Sequence, residues 1–310
     1  MTPRRTGGGR FDPDALRCYF YASNPHTLRQ AFLRLGSPAD HHILVAVNDL
    51  ENKSARDELE LLIEDGCKVF LDSGVFWLTN RHKHQHGITM DEALGLAPTD
   101  IDGFDWLWER YIELVTAYRD DLWGYVELDQ GGAENKRLTR HKLHDLGLDP
   151  IPVYHPLVDG WDYFDELAEG YDRVCFGNVV QADSPTRTKL LATASERHRA
   201  YPDLWVHLLG YTPDQRLLAF PAAAESCDSS SWLTGMRWSA SWREKAMGRS
   251  IAGGMESEMV YAIGDTEARA DMLAVASLQF AATVSTWNDW PELVEDRTGA
   301  EPLPAPVETP

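Results

Sequence analysis

Short apolar runs alternate with longer amphipathic stretches along most of the chain. The runs are RCYFYAS (17–23), HILVAVN (42–48), KVFLDSG (68–74), WGYVELD (123–129), PIPVYH (150–155), RVCFGN (173–178), LWVHLLG (204–210) and LAFPAAAESCDS (218–229). They are bounded by turn residues, and most are rich in β-branched or aromatic side chains. A strand covered on both faces must be apolar nearly throughout, so the pattern predicts buried parallel strands. The last run is the weakest, because its alanines and Pro221 disfavour a strand.

The stretches between them predict helices. One spans 25–36, opening after Asn24-Pro25 and closing at Gly36; another spans 51–65, with Leu59, Leu62 and Ile63 on one stripe and Gly66 beyond it. Residues 103–121 place Trp106, Tyr111, Leu114 and Tyr118 at helical spacing, and 134–146 and 160–169 stop at Gly147 and Gly170. Eight strands each trailed by a helix predict an α/β fold, a (β/α)₈ TIM barrel. A doubly wound sheet is the alternative, but no GxGxxG follows the first strand. Region 230–290 predicts extra C-terminal helical material, including an apolar helix near 267–282.

Composition narrows the setting. With 310 residues, 43% hydrophobic and 25% charged, the chain reads as a soluble globular protein. No apolar run approaches the ~18 residues of a membrane span, and MTPRRTGGGRF lacks a signal peptide's apolar core. The expected location is the cytoplasm, or the host cytoplasm for a virus-encoded protein. Residues 1–15 read as a disordered basic tail, 16–290 as the barrel domain, and 291–310 as a disordered acidic, proline-rich tail. Arg4, Arg5 and Arg10 in the head are either solvated or free to touch a polyanion. Cys18, Cys67, Cys175 and Cys227 are far apart, which predicts buried free thiols rather than disulfides or a zinc knuckle. A net charge of −20 argues against a generic nucleic-acid coat, though not against a local basic groove.

In a barrel the carboxyl ends of the strands face the active site. Those ends here are Asp72-Ser73-Gly74, Glu127-Leu128-Asp129-Gln130, His155, Gly177-Asn178, Gly210 and Cys227-Asp228-Ser229. A single aspartate at such a place more often caps the next helix. Three converging with His155 and Asn178 predict a site for covalent or acid–base work on an electron-poor carbon. A divalent metal site is the other use for such carboxylates.

The run VFLDSGVFW resembles the DSG motif of tRNA-guanine transglycosylases. The order that follows resembles them too: YVELDQGG, GLDPIPVYHP, VCFGNVV, HLLGYTP and AESCDSSSW. The last two pieces are most similar to the shorter relatives of phages and genomic islands, which insert 7-deazaguanine bases into DNA. The resemblance covers about residues 17–232. It implies that Asp228 is the nucleophile attacking C1′ of the target nucleoside and that Asp72 handles the proton as bases exchange. Phe76 would lie over the purine and Leu209 against its other face. Asp129 would read the base edge, with Gly177 beside the base carbonyl and Ser73 and Asn178 lining the same pocket. His155 stands where the tRNA enzymes generally have glutamine. The chemistry suits these residue types: a carboxylate stabilises and then captures the oxocarbenium-like C1′, as in retaining glycosidases. No cofactor is implied.

The departures from the family carry equal weight. The tRNA enzymes have a CxCxxC…H zinc site after the nucleophile, and residues 230–290 hold neither cysteine nor histidine. No zinc subdomain is therefore expected, and DNA is favoured over tRNA as the partner, with a free 7-deazaguanine such as preQ0 as the incoming base. Three basic segments would supply phosphate contacts: NRHKHQHG with Arg81 and Lys83, NKRLTRHK with Lys136 and Arg137, and MRWSASWREKAMGR with Arg237, Arg243, Lys245 and Arg249. In the last, Trp238 and Trp242 either stack on bases or pack on the barrel. His82, His84 and His86 either alternate as metal ligands on a strand or lie in a solvated loop. The alternatives are the same chemistry on tRNA, a metal-dependent barrel hydrolase or lyase acting on a small molecule, and a non-catalytic subunit. At this net charge, DNA binding should be strongly salt-sensitive, or a protein partner or homodimer must add grip.

Overall fold

The computed structural model describes residues 4–11, 17–35 and 41–233. Eight parallel strands carry the fold: β1 Cys18–Ala22, β2 His42–Ala46, β3 Lys68–Asp72, β4 Gly124–Tyr125, β5 Val153–Tyr154, β6 Arg173–Phe176, β7 Trp205–Leu208 and β8 Ser226–Ser229. Their order is β4-β3-β2-β1-β8-β7-β6-β5, which is the cyclic order of a TIM barrel. The sheet is curled and barrel-like, with its ladder open between β4 and β5. Only one parallel bridge, Val126 to Ile151, crosses that seam.

Helices follow the strands: α1 Pro25–Leu35, α2 Lys53–Glu64, α3 Val75–His86, α4 Met90–Gly95, α5 Phe104–Tyr118, α6 Gly132–Asp145, α7 Trp161–Gly170, α8 Ser184–His198 and the short α9 Gln215–Ala219. The five helices expected from periodicity lie within a few residues of their predicted bounds. The last predicted strand shrinks to its final four residues, because 221–223 form a 3₁₀ turn opened by Pro221. NRHKHQHG is neither a strand nor a loop; it completes α3. The material expected after residue 233, including the helix near 267–282 and the acidic tail, lies outside the described residues.

The period of two along each strand sorts side chains into two packed layers. Phe20, Phe70, Trp123, Val153, Cys175 and Trp205 fill the barrel interior, while Tyr19, Val69, Leu71, Val174, Val206 and Cys227 meet the helices outside. All four cysteines are free and buried. Phe20 makes ring contacts with Phe70, Trp123 and His207 at 5.4, 4.9 and 5.5 Å, so aromatic rings pack together inside the barrel.

Residues 4–11, expected as part of a solvated tail, instead cross the amino-terminal end of the barrel. Arg4, Arg5 and Arg10 pair with Asp172, Asp149 and Asp121, so the chain's own carboxylates engage the head's charges. Buried Arg173 donates to the carbonyls of Thr6, Gly8 and Trp123 at 2.8, 2.7 and 2.9 Å. The glycines permit close approach: a Cβ on Gly8 would lie 2.5 Å from Tyr125 Oη. Gly9, at φ +103, would collide with the carbonyls of Leu122 and Trp123 at 2.7 Å.

Candidate active site

Asp72 ends β3 and Asp228 lies within β8, both in register with inward-facing neighbours. Between them opens a cavity of about 200 Å³ at the carboxyl ends of the strands. Asp72, Ser73, Phe76, Asp129, His155, Gly177, Asn178, Leu209 and Asp228 all line it, joined by Leu44, Leu94, Val180 and Gln181. Residues as far apart as 72 and 228 thus share one pocket, because β3 and β8 both reach its mouth.

Each carboxylate has its own support. Asp72 Oδ2 accepts the Gly74 N–H at 3.0 Å, which Gly74 permits by adopting φ +79 at the start of α3. Burial pushes the Asp72 carboxyl up to about 7, aided by the negative charges of Asp129, Asp228 and Asp49 and opposed by the Gly74 hydrogen bond. Asp129 is largely enclosed as well, which opposes ionisation. The His155 hydrogen bond at 2.9 Å, the imidazole's charge and Lys136 outweigh that and hold its carboxyl below the usual value. Two carboxyl groups are therefore driven apart, one fit to carry a proton near neutrality and one held as an acceptor.

Asp228 is buried, and its Oδ1 accepts the Gly210 N–H at 2.9 Å. His207 Nε2 lies 3.1 Å from the same oxygen, and Nδ1 lies 2.8 Å from Ser226 Oγ. Trp205 Nε1 donates to that hydroxyl at 2.7 Å, leaving the hydroxyl proton free to go to His207 Nδ1. That assignment puts the imidazole hydrogen on Nε2, where it can donate to Asp228. His207 was not singled out from the sequence. Its signal was a histidine inside an apolar strand, two positions before Leu209.

His155 is tied to both neighbours. Its backbone N–H donates to Asp159 Oδ2 at 2.8 Å, and its ring leaves no room for a side chain at 177. A Cβ there would lie 2.6 and 2.7 Å from His155 Cδ2 and Nε2. Gly177 N–H is engaged by Tyr154 O at 2.9 Å. It is therefore not free to meet a base carbonyl, and Gly177 contributes space instead. Asn178 adopts φ +50, the only positive φ of a non-glycine among the described residues. Phe76 is 55% exposed at the mouth, a large apolar ring open to a ligand. Ser73 Oγ stands 3.4 Å from Asp129 Oδ1. Glu127 turns away from the cavity, pairing with Arg140 at 3.0 Å behind β4.

The basic residues divide. Lys136, expected to face phosphate, is fully buried; it pairs with Asp159 and donates to Val153 O at 3.0 Å. It braces the His155 loop from behind. Arg137 is paired with Glu166 on the helical surface and stacks 4.7 Å over Tyr163, so it too has a partner within the chain. Arg81 covers Trp77 at 4.7 Å and donates to Asp102 O at 3.2 Å, while Lys83 is half-buried one turn of α3 beyond Thr79. Arg237, Arg243, Lys245 and Arg249 lie outside the described residues, as do Trp238 and Trp242.

No protein-family model matches the chain, and no curated protein matches its sequence. Among solved structures, the crystal structure of the YdjI aldolase from Escherichia coli K12 is similar, with a TM-score of 0.46 and 10% identity over 88% of this chain and 91% of that one. Among the described residues, no helix is long and apolar enough to cross a membrane.

Proposed function

We propose that the chain is a base-exchanging transglycosylase that replaces guanine in DNA with a 7-deazaguanine such as preQ0 through a covalent aspartyl-glycosyl intermediate. The observation that carries the reading is one cavity holding two differently tuned carboxyls, Asp72 and Asp129, beside a third, Asp228, which is held by His207 and Gly210.

Asp228 attacks C1′ as the glycosidic bond breaks, and Asp72 in its acid form delivers a proton to the departing guanine. Asp72 is then a carboxylate and takes the proton from the incoming base, whose attack at C1′ displaces Asp228. Two inversions restore the starting anomer. Asp129 accepts the adjacent N–H groups of the guanine edge, and Phe76 and Leu209 sandwich the ring. A purine buried in a cavity of this kind must be flipped from a duplex or offered by a single strand.

The test is incorporation of labelled guanine into DNA or tRNA, with trapping of the covalent intermediate. Asp228→Asn is expected to abolish both exchange and intermediate; normal exchange by that variant removes the nucleophile assignment. Incorporation into tRNA alone transfers the chemistry to the second reading, which no feature of the described residues favours.

A further inference from the structure

The histidine-rich end of α3 takes no part in the chemistry above, yet it converges on a carboxylate. We propose that His82, His86 and Asp102 form a site for one divalent transition-metal ion of the zinc class, which fastens the last turn of α3 to the turn before α5. The proposal is independent of the transglycosylase reading.

A spacing of four residues puts both imidazoles on one helix face, a turn apart. Their ring centroids are 4.1 Å apart, and one donor atom from each of His82, His86 and Asp102 falls within 4.8 Å of the others. His84 does not belong to the group. Asp102 Oδ2 lies 3.5 Å from His82 Nδ1 and 2.7 Å from His86 Nε2. A tetrahedral ion with bonds of ~2.0–2.1 Å holds its donors about 3.3 Å apart, so the first distance fits. The second is the length of a hydrogen bond whose proton the ion would replace. It must open by about 0.6 Å on the same geometry, which an exposed pair can do.

One ligand is already in the right state. His82 is buried, and its Nδ1 accepts the Asp102 N–H at 3.2 Å, so that nitrogen already points an unprotonated lone pair at the turn. Asp102, whose side chain is 63% exposed, can hand that amide hydrogen to water. Arg81 fixes the same turn through the Asp102 carbonyl at 3.2 Å, and Gly103 follows at φ +88. Arg81 also brings a fixed positive charge to the same turn, which limits affinity. Two imidazoles with one carboxylate suit zinc, cobalt or nickel rather than magnesium or calcium, and the exposed sides of His86 and Asp102 leave positions for water. An ion there would stiffen the helix that carries Phe76 at the pocket mouth.

The experiment uses the full chain stripped with a chelator and titrated with zinc chloride by calorimetry, with the visible spectrum of added cobalt reporting the geometry. One equivalent should bind. His86→Gln and Asp102→Asn change exposed side chains, and circular dichroism checks that each is folded. Each should weaken zinc binding at least about tenfold, as losses around metal sites do, while His84→Gln leaves it unchanged. Failure of the wild-type chain to bind zinc, or equal binding by the His86 and Asp102 variants, overturns the proposal.

Discussion

At the scale of single residues, the site is a set of environments that give similar side chains different properties. Asp72 is poised near neutrality because burial and neighbouring negative charge both oppose its ionisation. Between its unfolded value and about 7, the folded protein holds a proton that the unfolded chain has lost, so this residue's contribution to stability falls as pH rises through that window. Asp72→Asn should therefore raise the melting temperature more at pH 8 than at pH 5 while abolishing base exchange. Thermal scans at the two pH values check it. In the wild type, single-turnover guanine release should decline above about pH 7 as the acid form disappears.

His207 acts on the same scale, through the hydrogen bond it gives Asp228. His207→Phe removes the donor but keeps a ring against Phe20 and Phe70. The exchange rate should fall by about 10²-fold, the cost of a nucleophile misplaced by about 1 Å, with the KM for the incoming base little changed. Steady-state kinetics separate the two.

At the scale of elements, α3, α4, α8 and α9 are not among the helices the sequence predicts, and for α3 and α8 the reason is shared. The buried positions of α3 are Val75, Leu78, Thr79 and His82, and those of α8 are Leu191, Ala194, Ser195 and His198. Both follow the i, i+3, i+4, i+7 spacing of an amphipathic helix, but a hydroxyl residue and a histidine fill two of the four core places. By residue type the stripe looked polar. Its polar members are satisfied inside: Thr79 donates to Gln130 at 2.8 Å, and both His198 nitrogens meet carbonyl oxygens. Lys136 is the mirror case, a basic residue in a basic segment that reads from sequence as surface. It is a buried brace between α6 and the β5 loop. Lys136→Met should destabilise the fold by about 3–5 kcal/mol by leaving Asp159 unpaired in the interior, without altering the salt dependence of nucleic-acid binding. Denaturant melts and a salt titration test the two halves.

At the scale of the whole molecule, the open seam between β4 and β5 is the weak point of the sheet, and the amino-terminal segment reinforces it. Gly8 N–H reaches Asp149 O, before β5, and Arg10 N–H reaches Leu122 O, before β4. Phe11 sets its ring edge-on to Trp123 and Trp205 at 5.5 and 5.3 Å. Deleting residues 2–11 should thus lower the melting temperature by more than about 5 °C, the response of a domain this size to a loss of a few kcal/mol. Its effect on DNA affinity should be small. Calorimetry and a binding assay on the truncated chain decide between a strap and a polyanion-binding tail.

What the sequence determined by itself was local and periodic: the positions of eight apolar runs, the helices with clean apolar stripes, and the polar residues at strand ends that line the pocket. These were legible because alternation and strand-end position depend on a few neighbouring residues. Tertiary structure decided which polar groups face inward. His207 beneath Asp228, Lys136 behind His155, and Arg173 under a run of glycines are each held by partners 21, 23 and over 160 residues away. A charge or imidazole is stable in an interior only when a distant segment supplies its hydrogen bonds, and a linear pattern does not record where that segment will arrive.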